Sequence, residues 1–431
     1  MRTFSVFTTP ELSSFQRQVL RWANKFPVAS VLLNNNYHNH LHQQKEMLVA
    51  VGSKSQLVAS EKNNLENLKN YVDKTDDFIF GFLSYDLKNE IEKLKSENKN
   101  HLNFPLLHFF QPEILIEINE REIKIYEEEV EAKYILHEIF SMRSDESNFI
   151  PDSEIKIQQR TSKGDYLYNI LKIQNHILNG DVYELNYCQE FFTENISIDA
   201  VEVFILMNEN SPAPFACFYK NENQFLLCES PERFLMKRGN KIVSQPIKGT
   251  AKRKKGFAED EKLKQQLLQS EKERAENVMI VDLVRNDLSR SCEAGSVVVE
   301  ELFGIYSYPT VHQMISTVRG QMNKNIHAVD AIKNAFPMGS MTGAPKIAAM
   351  ELIELYENFQ RGIYSGAFGY FKPEKDFDFN VVIRSIMYDA DKKYISFPTG
   401  GAITFDSVPE KEWEECLLKA KSMLEVLTGG K

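Results

Sequence analysis

The sequence predicts an α+β protein, or a mixed α/β one, in which short strands are layered against long helices. Three observations predict it. Brief apolar runs, such as residues 28–33 and 78–83, have the length of strands. Longer stretches at 162–179, 259–289 and 407–429 carry apolar residues at helical spacing. The two patterns also interleave along the chain. With 431 residues, 42% of them hydrophobic, there is material for a sizeable core and a length suited to two or three domains or one large one.

The elements follow in order. Residues 1–150 form an N-terminal region of short apolar runs separated by polar stretches. Within it, 88–100 (KNEIEKLKSENKN) is almost all charge and amide and reads as a solvated helix or loop. Residues 143–162 contain Pro151 and no sustained apolar period, which puts a domain junction there. A second domain is expected over 160–429. Its first helix opens with a capping box, Ser162-x-x-Asp165, and carries one apolar stripe through Leu167, Ile170, Leu171, Ile177 and Leu178. Gly180-Asp181 ends it, and a strand runs through Tyr187. Further strands are expected at 225–228 and 241–247. Residues 259–289 carry one long helical pattern, with Leu263, Leu267, Val278 and Val281 among its apolar positions. Strands follow at 363–371, 380–388 and 394–397. The last helix starts at Ser407, with Glu410 three residues on and Pro409 inside the first turn, and runs to Gly429.

Composition excludes several classes of function. The 51 basic residues against 61 acidic ones leave a net charge of −10, which suits neither nucleic acid nor an anionic membrane as partner. No apolar run approaches the roughly 20 residues of a membrane span. The N-terminus lacks the apolar stretch and cleavage site of a signal peptide. Cys188, Cys217, Cys228, Cys292 and Cys416 are odd in number and scattered, which argues against a disulfide framework or a thiolate zinc site. The expectation is a soluble, cytoplasmic protein.

Several constellations could carry chemistry. Glu273 and Glu276 lie three apart on one predicted helix, and Glu412 and Glu415 three apart on another, so each helix presents two carboxylates in one direction. If the two faces meet, the charges need a cation, and Mg²⁺ is the hard ion that takes a few carboxylates and keeps its waters. If they do not, the pairs are surface decoration. Lys419, one turn beyond Glu415, suits an ion pair or an anionic substrate. Residues 338–346 (MGSMTGAPK, with Gly343 at the centre) run small residues into a helix start, which makes either an anion site or an ordinary turn. Thr399-Gly400-Gly401-Ala402 reads as a second glycine turn. Lys248, in Pro246-Ile247-Lys248-Gly249-Thr250, stands at a strand end beside glycine, where burial can make a lysine nucleophilic. Glu232 offers a carboxyl group beside Arg233. Arg384 is read as mid-strand, and a buried arginine needs an anionic partner.

Taken together these segments resemble the chorismate-utilising enzymes, the group of anthranilate synthase and aminodeoxychorismate synthase large subunits. The matching words are SPERF (230–234), PIKGT (246–250), ERAENVMIVDLVRNDLSR (273–290), FPMGSMTGAPK (336–346), GIYSGAFGY (362–370), VVIRS (381–385) and TGGAITFDSVPEKEWEE (399–415). Weaker likeness extends upstream through GFLSYDL (81–87) and NSPAPFACF (210–218). The resemblance implies a layered β-sandwich core flanked by helices, as in anthranilate synthase component I. It implies chorismate as substrate, with Mg²⁺ bridging a substrate carboxylate to Glu276 and Glu415, and with Glu273 and Glu412 as the outer pair. Arg384, Tyr364, Lys419, Gly400 and Gly401 then occupy positions that hold carboxylates, and Thr250 and Gly343 join them as substrate-binding positions.

Lys248 stands where anthranilate synthases carry alanine, and so points to the aminodeoxychorismate branch. The mechanism implied has Lys248 attack C2 of the ring while Glu232, as general acid, helps expel the C4 hydroxyl. Ammonia then adds at C4 and displaces the lysine, giving 4-amino-4-deoxychorismate for 4-aminobenzoate and folate synthesis. The alternative is an anthranilate, isochorismate or salicylate synthase. Three positions depart from the family pattern. Its usual histidine is Gln313 here, with His312 one place earlier; Lys252 replaces a usual proline; and Glu184 stands where relatives often carry glutamine, or lysine in a branch that activates water. A carboxylate at 184 could act as a base. With no glutaminase signature in the chain, a separate glutaminase subunit, or ammonia from solution, is expected to supply nitrogen. The stretch Leu32-Leu33-Asn34-Asn35 replaces the word of tryptophan-regulated relatives, so tryptophan feedback is not expected.

Overall fold

The computed structural model describes residues 2–37, 47–146, 155–309 and 311–429. Two antiparallel sheets face one another, one of twelve strands and one of ten among the described residues. Between them lies an apolar core that draws Phe80, Phe82 and Phe109 from the smaller sheet and Cys217, Leu226 and Cys228 from the larger. The larger sheet's outer face carries a second core, closed by helices that include Leu12–Ala23, Ala200–Asn210 and Pro409–Thr428. Helices Asn64–Lys74, Glu271–Ser289 and Ala328–Ala335 cover the smaller sheet's side. The result is the α+β sandwich, helices outside and sheets within. Strands buried on both faces read as continuous apolar runs, which is why Val28–Leu33 and Ile79–Leu83 stand out in the sequence.

The boundary near residue 150 does not separate two sheets. The larger sheet pairs Val28–Leu33 with Phe215–Asn221, and the smaller pairs Ile79–Leu83 with Ala367–Phe371, so strands from both sides of that boundary share both sheets. Part of the polar stretch itself, 147–154, lies outside the described residues. The charged run at 88–100 is less solvated than its composition suggests. Lys88 is buried in a one-turn helix, its Nζ donating to Asn89 Oδ1 and Ser96 Oγ, and Glu354 Oε1 accepts from the backbone N–H of Glu97 and Asn98.

Local signals explain most boundaries. Ser162 Oγ accepts from the Asp165 N–H at 3.2 Å, starting the helix Lys163–Asn179, and Gly180 ends it with φ +82°. The single helix expected over 259–289 is two, Phe257–Gln269 and Glu271–Ser289. Ser270 is extended, and its Oγ accepts from the Glu273 N–H. The strand expected over 380–388 is likewise two, Phe377–Val381 and Ser385–Asp389. Arg384 sits in the break with φ +52°, not mid-strand. The Gly400-Gly401 pair is not a turn either. It lies inside the strand Tyr394–Ile403, paired along its length with Glu184–Glu194. A Cβ on Gly400 would stand 2.2 Å from the Tyr187 carbonyl oxygen, so glycine serves close strand packing there. Ser407 does not cap the last helix, which starts at Pro409. Its hydroxyl accepts from the Thr404 N–H and donates to Glu412 Oε1 at 2.8 Å.

Candidate active site

Four elements converge at one end of the sandwich. The edge strand Ile247–Lys252 of the smaller sheet pairs with Val311–Gln321, and the helix Glu271–Ser289 packs across both. From the larger sheet come the strand Glu184–Glu194 and the helix Pro409–Thr428, which lies on Tyr394–Ile403. The short strand Gly343–Ala344 pairs with Glu184-Leu185; a Cβ on Gly343 would meet the Glu184 carbonyl oxygen at 2.1 Å, so this glycine also serves close approach.

Lys248 is at the centre. Its Nζ donates to Glu184 Oε1 at 2.8 Å, with Glu184 buried and the Lys248 side chain 11% exposed. Burial pulls the Lys248 pKa down, but Glu184, Glu276 and Glu232 together outweigh it and hold the ammonium above the ordinary lysine value. Glu232 stands in the turn after Gln224–Ser230, its N–H bonded to Ser230 Oγ and its Oε1 accepting from Ser340 Oγ at 2.6 Å. Burial pushes its carboxyl up to about 7, against the opposing pull of Ser340 and Lys248. A carboxylic acid that is still protonated near neutrality is a competent proton donor.

The four glutamates face one another across the two helices. Burial raises Glu276 to about 7 and lifts Glu273 and Glu412 as well, while Lys419, 2.7 Å away, holds Glu415 below its usual range. Lys272 lies in the field of all four. Among the described residues, no three carboxylate, imidazole or thiolate groups gather closely enough to cage an ion alone. The donors are nevertheless all hard carboxylate oxygens, three of the four raised by desolvation that a cation would relieve. Mg²⁺ requires only one or two carboxylates beside waters and substrate oxygens. The donor set therefore fits that ion better than a softer metal.

Two cations, Arg384 and Lys419, and the Tyr364 hydroxyl complete the site. Lys419 Nζ donates to the Gly400 carbonyl and pairs with Glu415. Beside them Gly401 keeps space open: a Cβ there would stand 3.4 Å from Glu412 Oε2 and 3.7 Å from Lys419 Nζ. Burial lowers the Arg384 pKa, against the nearby Tyr364, Glu415 and Glu229. No side-chain hydrogen bond or salt bridge holds that guanidinium among the described residues, which leaves its fork available to a carboxylate ligand. Tyr364 is buried, with its hydroxyl 3.6 Å from Cys188 Sγ. Thr250 pairs with Gln313 and is exposed at the edge of the site.

Other expectations resolve as follows. His312 is tied to Ser307 Oγ at 2.8 Å and Asp260 Oδ1 at 3.1 Å, away from Lys248, while Gln313 is buried with Oε1 unpartnered. Glu184 is engaged by Lys248 rather than standing free to activate water. Sequence reasoning missed Ser340, the hydroxyl that orients Glu232, and Lys272, the cation among the glutamates. Ser340 was in view inside the glycine-rich word, but its partner lies 108 residues upstream. A cavity of about 90 Å³ lies elsewhere, between the sheets, bordered by Leu32, Asn34, Phe215 and Tyr370.

The sandwich and its convergent acid–base cluster define a chorismate-binding enzyme: the family model of that description matches residues 19–425, and the chain belongs to that family. Its relatives include the aminodeoxychorismate synthase component 1 of Escherichia coli, 30% identical over 92% of this chain and 93% of the relative. The chloroplastic aminodeoxychorismate synthase of Arabidopsis thaliana is 37% identical over 82% of this chain. The chain spans only 41% of that relative's length, and 30% of the length of a probable counterpart from rice. Among solved structures, anthranilate synthase component I from Streptococcus pneumoniae superposes with a TM-score of 0.76 at 23% identity, covering 98% of this chain and 92% of that one. The menaquinone-specific isochorismate synthase of Escherichia coli gives 0.73 at 16% identity, covering 99% and 95%.

Proposed function

We propose that this chain is the chorismate-aminating subunit of an aminodeoxychorismate synthase, a transferase that makes 4-amino-4-deoxychorismate from chorismate and ammonia. The observation that carries the reading is Lys248, a largely buried lysine at the centre of the site, hydrogen-bonded to a proton acceptor and in the field of a carboxyl group raised to about 7. Relatives named aminodeoxychorismate synthase across plants and bacteria support it.

On this reading Arg384, Tyr364 and Lys419 bind and orient the substrate carboxylates. Glu276 and Glu415, with Glu273 and Glu412 behind them, would hold Mg²⁺, which when bound neutralises carboxylate charge and fixes the substrate. Lys248 attacks ring carbon C2 while Glu232 gives its proton to the departing C4 hydroxyl. Splitting one difficult displacement into two easier ones is the gain from a covalent intermediate. Ammonia then bonds to C4 and the lysine leaves. The nitrogen source is a separate glutaminase subunit, consistent with relatives named as component 1, and both subunits act in the cytoplasm.

The test is mass spectrometry of products after incubating the purified chain with chorismate, Mg²⁺ and an ammonium salt at mildly alkaline pH. An amino product that keeps the enolpyruvyl group is expected. Anthranilate with free pyruvate, or an ammonia-independent isomer, would overturn the assignment.

A further inference from the structure

We infer that Glu184 is the base that takes the proton from the Lys248 ammonium when chorismate is bound, keeps it while the lysine is bonded to the ring, and returns it when the lysine leaves. The inference rests on the proposed lysine mechanism and supplies the step that mechanism lacks. A charged ammonium has no lone pair, and the carboxylates around Lys248 favour that charged form.

The charged and titratable groups facing Lys248 can be taken one by one. Glu232, from the turn before Arg233–Arg238, accepts a hydrogen bond from Ser340 and carries the proton needed by the leaving hydroxyl. Glu276, from the helix Glu271–Ser289, is 3.8 Å from Lys272 on its own helix. Glu273, one turn earlier, reaches the face of Gly249. From the paired strand, Gln313 cannot take a proton, and His312 is bound to Ser307 and Asp260. Among the described residues, Glu184 alone is hydrogen-bonded to Nζ.

Its environment suits the task. Oε1 holds the lysine, whereas Oε2 is buried with no hydrogen-bond partner among the described residues. That second oxygen keeps lone pairs open to a proton. The backbone is fixed in a strand against Ala344, so the carboxylate stays beside the lysine throughout.

The step balances. The ammonium proton passes to Glu184, giving a neutral amine and a carboxylic acid. The amine lone pair forms the N–C2 bond, the two ring double bonds shift from C1–C2 and C5–C6 to C1–C6 and C4–C5, and the C4–O bond breaks, its oxygen leaving as water with the Glu232 proton. Ammonia then bonds to C4, the double bonds return to C1–C2 and C5–C6, and the N–C2 pair reverts to the lysine. The lysine departs as a neutral amine and regains its proton from Glu184.

The Glu184→Gln variant separates a base from a mere counter-ion because the two roles predict opposite signs. A counter-ion only 2.8 Å away stabilises the ammonium, so its neutral isostere would free more amine and raise turnover near neutral pH. If Glu184 is the base, ammonia-dependent kcat falls about a hundredfold at neutral pH, with chorismate KM changed by less than about twofold. The deficit shrinks as pH rises and solvent deprotonates the lysine. Glu184→Asp, which keeps a carboxylate, recovers part of the loss, and calorimetric titration with chorismate verifies that each variant folds and binds. Turnover in Glu184→Gln that is unchanged or increased at neutral pH overturns the inference. A wild-type chain that makes no amino product overturns the assigned activity and this inference together.

Discussion

Glu232 and Lys248 reach opposite charge states in one pocket because burial acts on both and their partners differ. Desolvation penalises the charged form of each. Lys248 has carboxylates that outweigh the cost, whereas for Glu232 the pull of Ser340, Lys248 and the Ile247 backbone does not, so it retains its proton. On the proposed mechanism the protonated form of Glu232 is the acid, and that form is present below its raised pKa. The rate of covalent attachment of chorismate, followed by rapid quench without ammonia, should therefore fall as pH rises through about 7. In Glu232→Gln that limb should vanish and the rate should drop about a hundredfold. An unchanged limb in the variant would remove Glu232 from the acid role.

At the scale of elements, the site depends on two helices that each bring two glutamates to the same space, three residues apart. Their pairing was legible because i and i+3 share a face; their meeting was not, because it depends on how the two sheets stack. The Glu271–Ser289 helix also shows what local signals can yield. The Ser270-x-x-Glu273 capping sequence was present, yet the periodicity on both sides disguised the break. The kink at Arg384 had no such signal: a positive φ at arginine is imposed by its neighbours. The buried glutamates carry a cost that can be measured. A carboxyl raised from 4.5 to about 7 binds its proton more tightly when folded, so the destabilisation is absent below its unfolded pKa, grows as pH rises, and is complete above about 7. Glu276→Gln should thus stabilise the metal-free chain at mildly alkaline pH by about 1–3 kcal/mol in urea denaturation. Added Mg²⁺ should raise the Tm of the wild-type chain and do so much less in Glu276→Gln. Equal shifts in both would show that the ion binds elsewhere.

Across the whole molecule, the catalytic words all fall after residue 160, and in the sequence they suggest a self-sufficient domain. The sheets contradict that independence. Removing the N-terminal region would strip Val28–Leu33 from the strand Phe215–Asn221 and Ile79–Leu83 from Ala367–Phe371, baring two long apolar edges. Residues 155–429 expressed alone should aggregate or remain unfolded by circular dichroism and size-exclusion chromatography. A soluble, folded monomer from that segment would contradict the shared-sheet account. Strand order of this kind was illegible because each strand's partner lies far along the chain, while the words that carry chemistry are local. The classes of residue at the site could therefore be read early, and their mutual contacts, Lys248 with Glu184 and Glu232 with Ser340, only from the fold.

On the proposed mechanism Lys248 becomes bonded to the substrate. Intact-protein mass spectrometry of the chain incubated with chorismate and Mg²⁺ in the absence of ammonia tests it directly. The expected result is a mass increase equal to chorismate less one water, mapped to Lys248, absent in Lys248→Ala although that variant still binds chorismate, and discharged when ammonium is added. Amino product formed by Lys248→Ala at the wild-type rate, with no adduct on either chain, would contradict it.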